Sequence, residues 1–132
     1  MANTVTLQSI IDGPKTHVVK IYLASDGAAG ELTDQLVVDV SLLLPAATKV
    51  SIEKVQWSLN GFDAILEWDA TTDVQIFTLG ASASTSELDF TSFGGIPNNA
   101  GAGITGDILL TTVGFTATSD TGVIILTCRK NT

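Results

Sequence analysis

The chain has few of the residue types on which most enzymatic chemistry depends. Its 132 residues include one histidine, one cysteine and three prolines. A lone Cys128 cannot form an internal disulfide, which favours a protein made in a cytoplasm and kept reduced. Ser-His-Asp and Cys-His catalytic groups need a base that is held by a partner and faces a nucleophile. No motif around His17 or Cys128 supplies such a partner, so we expect no catalytic residues, no cofactor and no metal site.

Basic charge and long apolar runs are also scarce. Six Lys and Arg residues stand against fourteen Asp and Glu residues, for a formal net charge of −8. Because phosphate binding draws most of its affinity from Lys and Arg, binding to nucleic acid is not expected, and neither is attraction to an anionic membrane surface. No stretch approaches the ~20 apolar residues of a membrane helix. The first residues lack the basic end and apolar run of a secretory signal.

What the chain has in abundance is short segments of alternating polarity. Hydrophobic residues make up 45% and charged residues 15% of a length that fits one domain, residues 1–132. Turns rich in Gly, Asn and Asp separate the alternating segments, which are 4–12, 15–24, 36–40, 49–59, 62–68, 73–79, 86–90, 107–113 and 122–129. About eight strands at this spacing predict an all-β fold, an antiparallel β-sandwich that is jelly-roll-like.

Two local patterns make more specific predictions. Asn60-Gly61 lies between two alternating segments, which is the strongest short signal for a β-hairpin, because both turn positions need φ > 0. In the second arm Phe62, Ala64, Leu66 and Trp68 share the face expected in the core, and residues 73–79 should pair back on it. Over residues 31–44 a helical spacing of leucines competes with a strand followed by a turn, and the β-branched residues there favour the strand.

The side chains that could carry chemistry each have a simpler structural interpretation. His17 alternates with Val19 and Ile21, and Cys128 alternates with Leu126, so both are expected to be packed. The densest acidic group could bind Ca²⁺ or serve glycoside hydrolysis, but alternation places most of it on a polar strand face, where a solvated surface is expected. Its members are Asp63, Glu67, Asp69 and Asp73.

The longest irregular segment begins at Phe93 and continues through a loop rich in Gly and Asn, residues 94–103. It does not follow a strand and open a helix, which argues against phosphate binding. It is interpreted as a conformationally demanding loop, or as an arm that lies on a neighbouring subunit. The candidate protein-contact residues are Phe93, Gly94, Gly95, Ile96, Pro97, Asn98 and Asn99, and an N-terminal arm, residues 1–4, and the backbone edges join them.

Three stretches occur together in the same order over nearly the whole chain. They are residues 11–20 with Ile-Asp-Gly-Pro-Lys and Val-Val-Lys, residues 67–72 with Glu-Trp-Asp-Ala-Thr-Thr, and residues 89–104 with Asp-Phe and Phe-Gly-Gly-Ile-Pro-Asn-Asn-Ala-Gly-Ala-Gly-Ile. In these stretches the chain resembles a family of small virion structural proteins encoded by tailed bacteriophages. Virion proteins of this size and composition include head decoration (cement) proteins, β-sandwiches bound to the outside of the coat lattice.

The resemblance implies a non-enzymatic protein that binds the outer coat lattice and stabilises the head. Its partners would be the major capsid protein and further copies of itself, as a homo-oligomer such as a trimer. It would be made in the host bacterial cytoplasm and would lie on the capsid surface of the virion. The alternatives are a tail-tube, head–tail adaptor or fibre-associated virion protein, or a carbohydrate- or receptor-binding module that uses aromatic side chains such as Phe93.

Overall fold

The computed structural model describes residues 3–28, 30–43, 47–81 and 86–131. Within these ranges the chain forms two antiparallel sheets, one with the strand order β1-β2-β9-β4-β7 and the other with the order β3-β8-β5-β6. The strands are β1 Thr4–Asp12, β2 Thr16–Ala24, β3 Gln35–Val38, β4 Lys49–Asn60, β5 Asp63–Trp68, β6 Val74–Leu79, β7 Glu87–Asp89, β8 Ile108–Val113 and β9 Thr121–Asn131. None of the helical segments in these ranges is long and apolar enough to cross a bilayer.

The strand pairs are nested around a single hairpin. β5 pairs with β6, β4 with β7, β3 with β8 and β2 with β9, and successive pairs in this series alternate between the two sheets. This is the connectivity of an eight-stranded jelly roll, in which a long folded ribbon wraps across both sheets. The predicted antiparallel, jelly-roll-like sandwich is therefore confirmed, with β1 as an additional strand at the edge of the larger sheet.

The two sheets enclose one hydrophobic core. Alternate residues of β2, β5 and β9 point into it, together with Phe62 just before β5, and these buried positions match the alternation in the sequence. The set includes Val19, Ile21, Leu23, Phe62, Ala64, Leu66, Trp68, Ile124, Leu126 and Cys128. The packed positions predicted for the Phe62–Trp68 face, for His17 and for Cys128 agree with their burial.

The predicted hairpin at Asn60-Gly61 is wrong. β4 and β5 lie in different sheets, so the two residues form the crossover between them. Gly61 has a φ of +85°, but Asn60 is not among the residues with positive φ, as a type I′ turn would require. The Asn60 side chain instead donates to the backbone oxygen of Ser119 at 3.0 Å. On one edge β4 pairs with β9 along its length, and on the other it pairs with β7 at residues 54–56, whereas β5 pairs with β6 and β8 in the other sheet.

Residues 31–43 form a strand and a turn, as the β-branched residues indicated. After β3, a 3-10 turn spans Val40–Leu42, and the Asp39 carboxylate accepts the N–H of Ser41 at 3.1 Å to cap it. The Asp107 carboxylate accepts the N–H of Val40 at 3.0 Å from the other side. The predicted bend ends at residues 44–45, which lie outside the described residues, as do residues 82–85 of the predicted surface loop.

Of the predicted N-terminal arm, residues 1–4, the structure describes Asn3 and Thr4. Thr4 already belongs to β1, and residues 1–2 lie outside the described residues. Asn3 is held by its side chain, which donates to the backbone oxygen of Gly30 at 2.8 Å and accepts the N–H of Asp26 at 3.0 Å. Asn3 is therefore bound to the chain's own loop at Asp26 and Gly30.

Candidate protein-contact site

The predicted contact segment begins in a tightly bonded turn, residues 89–96, here called the Phe93 turn. Its 3-10 segment, Thr91–Phe93, starts where the Asp89 carboxylate accepts both the N–H of Thr91 at 2.9 Å and its hydroxyl at 2.6 Å. The backbone oxygen of Phe90 accepts the N–H groups of Phe93 at 3.3 Å and of Gly95 at 3.0 Å. The turn is therefore closed by its own hydrogen bonds and does not depend on a partner for its shape.

The Phe93 turn is also fastened to β4. Ile96 and Ile52 exchange two backbone hydrogen bonds, at 3.0 and 2.8 Å, and Phe90 donates to the backbone oxygen of Glu53 at 2.8 Å. Gly95 has a φ of +99°, and a Cβ there would lie 3.0 Å from the oxygen of Ile52, so only glycine fits without strain. Residues 95–96 thus pair with their own chain, which favours the conformationally demanding loop over an arm laid on a neighbour.

Three aromatic rings connect the turn to the body of the protein. Phe77 and Phe90 stack with centroids 5.9 Å apart, and Phe90 lies 6.1 Å from Phe93. Phe77 and Phe90 are half-buried, whereas Phe93 is 67% exposed. A large aromatic side chain held outward on a rigid support is typical of a binding hot spot, because little conformational entropy is lost when a partner covers it.

The remaining predicted contact residues lead away from the turn. Gly94, Pro97 and Asn99 are exposed, while the side-chain oxygen of Asn98 accepts the N–H of Ala100 at 3.0 Å. Further on, the backbone oxygen of Ala102 accepts the N–H of Thr71 at 3.1 Å. This part of the 94–103 loop therefore rests against the turn between β5 and β6, and its exposed side chains lie beside Phe93 in sequence.

The sequence interpretation did not single out a second apolar region, which lies along β1. Leu7, Ile10 and Ile11 are 46%, 48% and 51% exposed, and Leu42 on the nearby 3-10 turn is 74% exposed. An available signal was the absence of any charged residue between Thr4 and Ile11. Native edge strands usually carry charges that prevent pairing with other chains.

The two side chains with nucleophile or base chemistry lie side by side, and both are buried. His17 and Cys128 are directly opposite each other on β2 and β9, a neighbourhood that their separation in sequence concealed. Burial raises the pKa of Cys128 to about 12, so its thiolate is not populated at neutral pH. Burial also lowers the pKa of His17, although Asp12 acts in the opposite direction, so the imidazole is neutral.

His17 belongs instead to an ionic cluster at the end of β1. The Lys130 ammonium lies 2.5 Å from a carboxylate oxygen of Asp12, and His17 lies 3.8 Å from the same oxygen. The Lys130 side chain is almost fully buried. The cluster joins Asp12, the last residue of β1, to Lys130 near the end of β9. It adds an ionic contact to the pairing of β1 with β2.

The predicted acidic group is divided by the fold. Glu67 and Asp73 come together with Asp34, with carboxylate oxygens within 4.8 Å of one another, whereas Asp63 binds the N–H of Ala81 and Asp69 binds the hydroxyl of Thr105. Burial and then the charge of Asp34 raise the pKa of Glu67. Asp34 was missed because it lies far away in sequence. Exposed acidic groups of this kind are common without a cation.

No family model matches the chain, and no curated protein matches it significantly.

Proposed function

We propose that this protein is a non-enzymatic structural component of a tailed-bacteriophage virion, a decoration protein that binds the outside of the capsid. The observation that carries the proposal is Phe93, 67% exposed at the end of an aromatic row and held there by a turn that needs no partner. An exposed aromatic side chain on a rigid turn, here called the Phe93 knob, is suited to docking against another protein surface. The three stretches that resemble small virion proteins support the phage coat as the protein that this surface contacts.

The charge of the chain supports an outward location. A formal net charge of −8 would repel packaged DNA, so the protein is better placed outside the shell than within it. Each copy would bridge neighbouring coat subunits and so resist expansion of the head. An interface of ordinary size, on the order of 1,600 Å² in total, would suffice because many copies act together.

The direct test uses heads of the encoding phage that lack this protein. Purified protein should co-sediment with expanded heads and appear in an electron-microscopy reconstruction as a regular outer layer, with the Phe93 turn against the coat. Heads without it should assemble but lose DNA on heating or dilution. Binding to neither expanded heads nor empty shells would refute the decoration role, and a small number of copies confined to the tail would support the tail-tube, adaptor or fibre alternative.

A carbohydrate-binding module is the second candidate, because an exposed ring can also stack on a sugar. The polar side chains next to Phe93 argue against it: Asp89 and Thr91 are hydrogen-bonded to each other rather than presented to a ligand. A glycan array probed with the wild-type protein and with Phe93→Ala separates the two candidates. A glycan that binds only the wild type would favour the carbohydrate-binding module over the capsid.

A further inference from the structure

β1 is an edge strand that the rest of the sandwich does not cover. Its inward-facing residues Val5 and Leu7 are directly opposite Leu23 and Ile21 of β2. Those two β2 residues are fully buried, but Leu7 is 46% exposed. In the part of the chain that the structure describes, β1 pairs with β2 alone, so the outer edge of a nine-residue strand carries no partner strand. Backbone N–H and C=O groups along such an edge are a template for another strand.

An apolar groove opens beside this edge. It has a volume of about 240 Å³ and lies between the inner face of β1 and β2 and the turn after β3. Most of its lining is apolar, and Asp12, His17 and Asp39 lie at its polar part. Leu42, 74% exposed, is the most exposed large apolar side chain in the described ranges. A strand added next to β1 would continue the sheet and place its inward side chains against Leu7 and Leu42.

The charge distribution identifies what can occupy the edge. Residues 4–11 are uncharged in a chain whose formal net charge is −8. Two copies therefore repel each other over most of their surfaces, but at β1 they can meet without opposing like charges. β6 is also an edge strand, but it is shorter, and its Ile76 and Phe77 are half-buried. Pairing of one β1 with another is isologous, so the assembly closes after two copies.

We propose that β1 pairs antiparallel with β1 of a second copy of this chain, joining two five-stranded sheets across a two-fold axis. The axis is perpendicular to the sheet and keeps the inner faces of both copies on the same side. Inner residues must then oppose inner residues, because directly opposite residues of an antiparallel pair share a face. The register centred on Leu7 satisfies this condition and places Val5 opposite Ser9 and Thr6 opposite Gln8 of the second copy.

This register also agrees with the irregularity in β1. The pairing of β1 with β2 shifts between Ser9 and Ile11, so residues after Ser9 leave the regular pleat. Pairs from Val5 to Ser9 lie entirely before that shift. The two Leu7 side chains would cover each other, next to both grooves. A contact of this extent is at the low end of stable interfaces, so we expect a reversible dimer with micromolar affinity.

A charge-swap experiment tests both the pairing and its register. In the proposed dimer Thr6→Glu with Gln8→Glu opposes like charges twice, whereas Thr6→Lys with Gln8→Glu opposes unlike charges twice. Both double variants share Gln8→Glu, so the interaction with Lys20, which is opposite Gln8 on β2, is the same in each. We expect the like-charge variant to dimerise about tenfold or more weakly than the unlike-charge variant.

The measurement is sedimentation velocity over a concentration series, with melting temperatures to show that each variant folds. A wild type that stays monomeric up to about 300 µM, well above a micromolar dissociation constant, would refute the pairing. Equal dimerisation of all three proteins would also refute it. Because the assay uses purified protein without heads, its result is separate from that of the decoration role: a monomer that still coats heads removes the β1 dimer only.

Discussion

Truncating Phe93 to alanine is the sharpest test of the contact site. About 200 Å² of surface belongs to a phenylalanine side chain, and 67% of the residue is exposed, which leaves roughly 130 Å² for a partner to cover. At about 25 cal/mol per Å², covering it contributes about 3 kcal/mol, so Phe93→Ala should weaken binding to heads about 100-fold. The free energy of unfolding should change far less, because most of the ring is already in water.

The assay is a titration of heads that lack the protein, with occupancy measured by co-sedimentation. Val113→Ala is the matched control, because Val113 is a 51% exposed apolar residue on β8, outside the Phe93 turn. Its binding curve should overlay that of the wild type. Gly95→Ala is a third variant, in which the Phe93 side chain is retained but the turn is strained against Ile52. It should reduce occupancy by an intermediate amount, since the knob remains but is displaced.

The outcome that refutes the reasoning is equal affinity of Phe93→Ala and wild type, with both proteins bound to heads and both folded. The head-binding surface would then lie elsewhere, and the rigid support of Phe93 would have only a local structural role. Equal loss of binding in Phe93→Ala and Val113→Ala would also refute it, because the contact would not be specific to the turn.

Four further predictions concern stability. Asp120 is buried, and its carboxylate accepts the N–H groups of Thr116 and Ala117 at 3.0 Å each. Asp120→Ala should therefore lower the free energy of unfolding, measured in urea, by about 2–3 kcal/mol. A loss under about 0.5 kcal/mol would contradict this prediction. Burial alone would raise the pKa of Glu31, but hydrogen bonds from Thr112, Phe115 and Gly114 outweigh it and hold the pKa below its ordinary value. Its stabilisation is therefore present at neutral pH and lost as the pH falls through the folded-state pKa, so Glu31→Gln should destabilise at neutral pH and match the wild type in acid. The raised pKa of Glu67 has the opposite effect on stability, because the ionised carboxylate is less favourable in the folded than in the unfolded chain. Glu67→Gln should therefore raise the melting temperature slightly at pH 7 and lose that effect below about pH 4. A Ca²⁺ titration of the wild type should leave its melting temperature unchanged.

The elements predicted best are those whose signal is local. Alternation is a property of consecutive residues, and it correctly gave β1, β2 and the buried face from Phe62 to Trp68. The pairing of strands is not local, and there the same reasoning failed at Asn60-Gly61. A turn sequence indicates that the chain reverses, but whether the next strand joins the same sheet depends on which edges are already occupied. The edges of β4 are taken by β7 and β9, strands that follow much later in the chain.

The candidate site divides in the same way. Phe93 could be selected from sequence because it is an aromatic residue outside the alternating pattern, at the start of a glycine-rich loop. The support that makes it a rigid knob could not, since it comes from Ile52 and Phe77, which are distant in sequence. The exposure of Leu7 could not be read from alternation either: Leu7 is opposite the fully buried Ile21, and it is open to solvent because β1 is at the edge of the larger sheet. Local alternation determines which segments of this jelly roll become strands. Which surfaces stay open to partners depends on the order of the strands in each sheet, because the outer edge and inner face of an edge strand can remain uncovered.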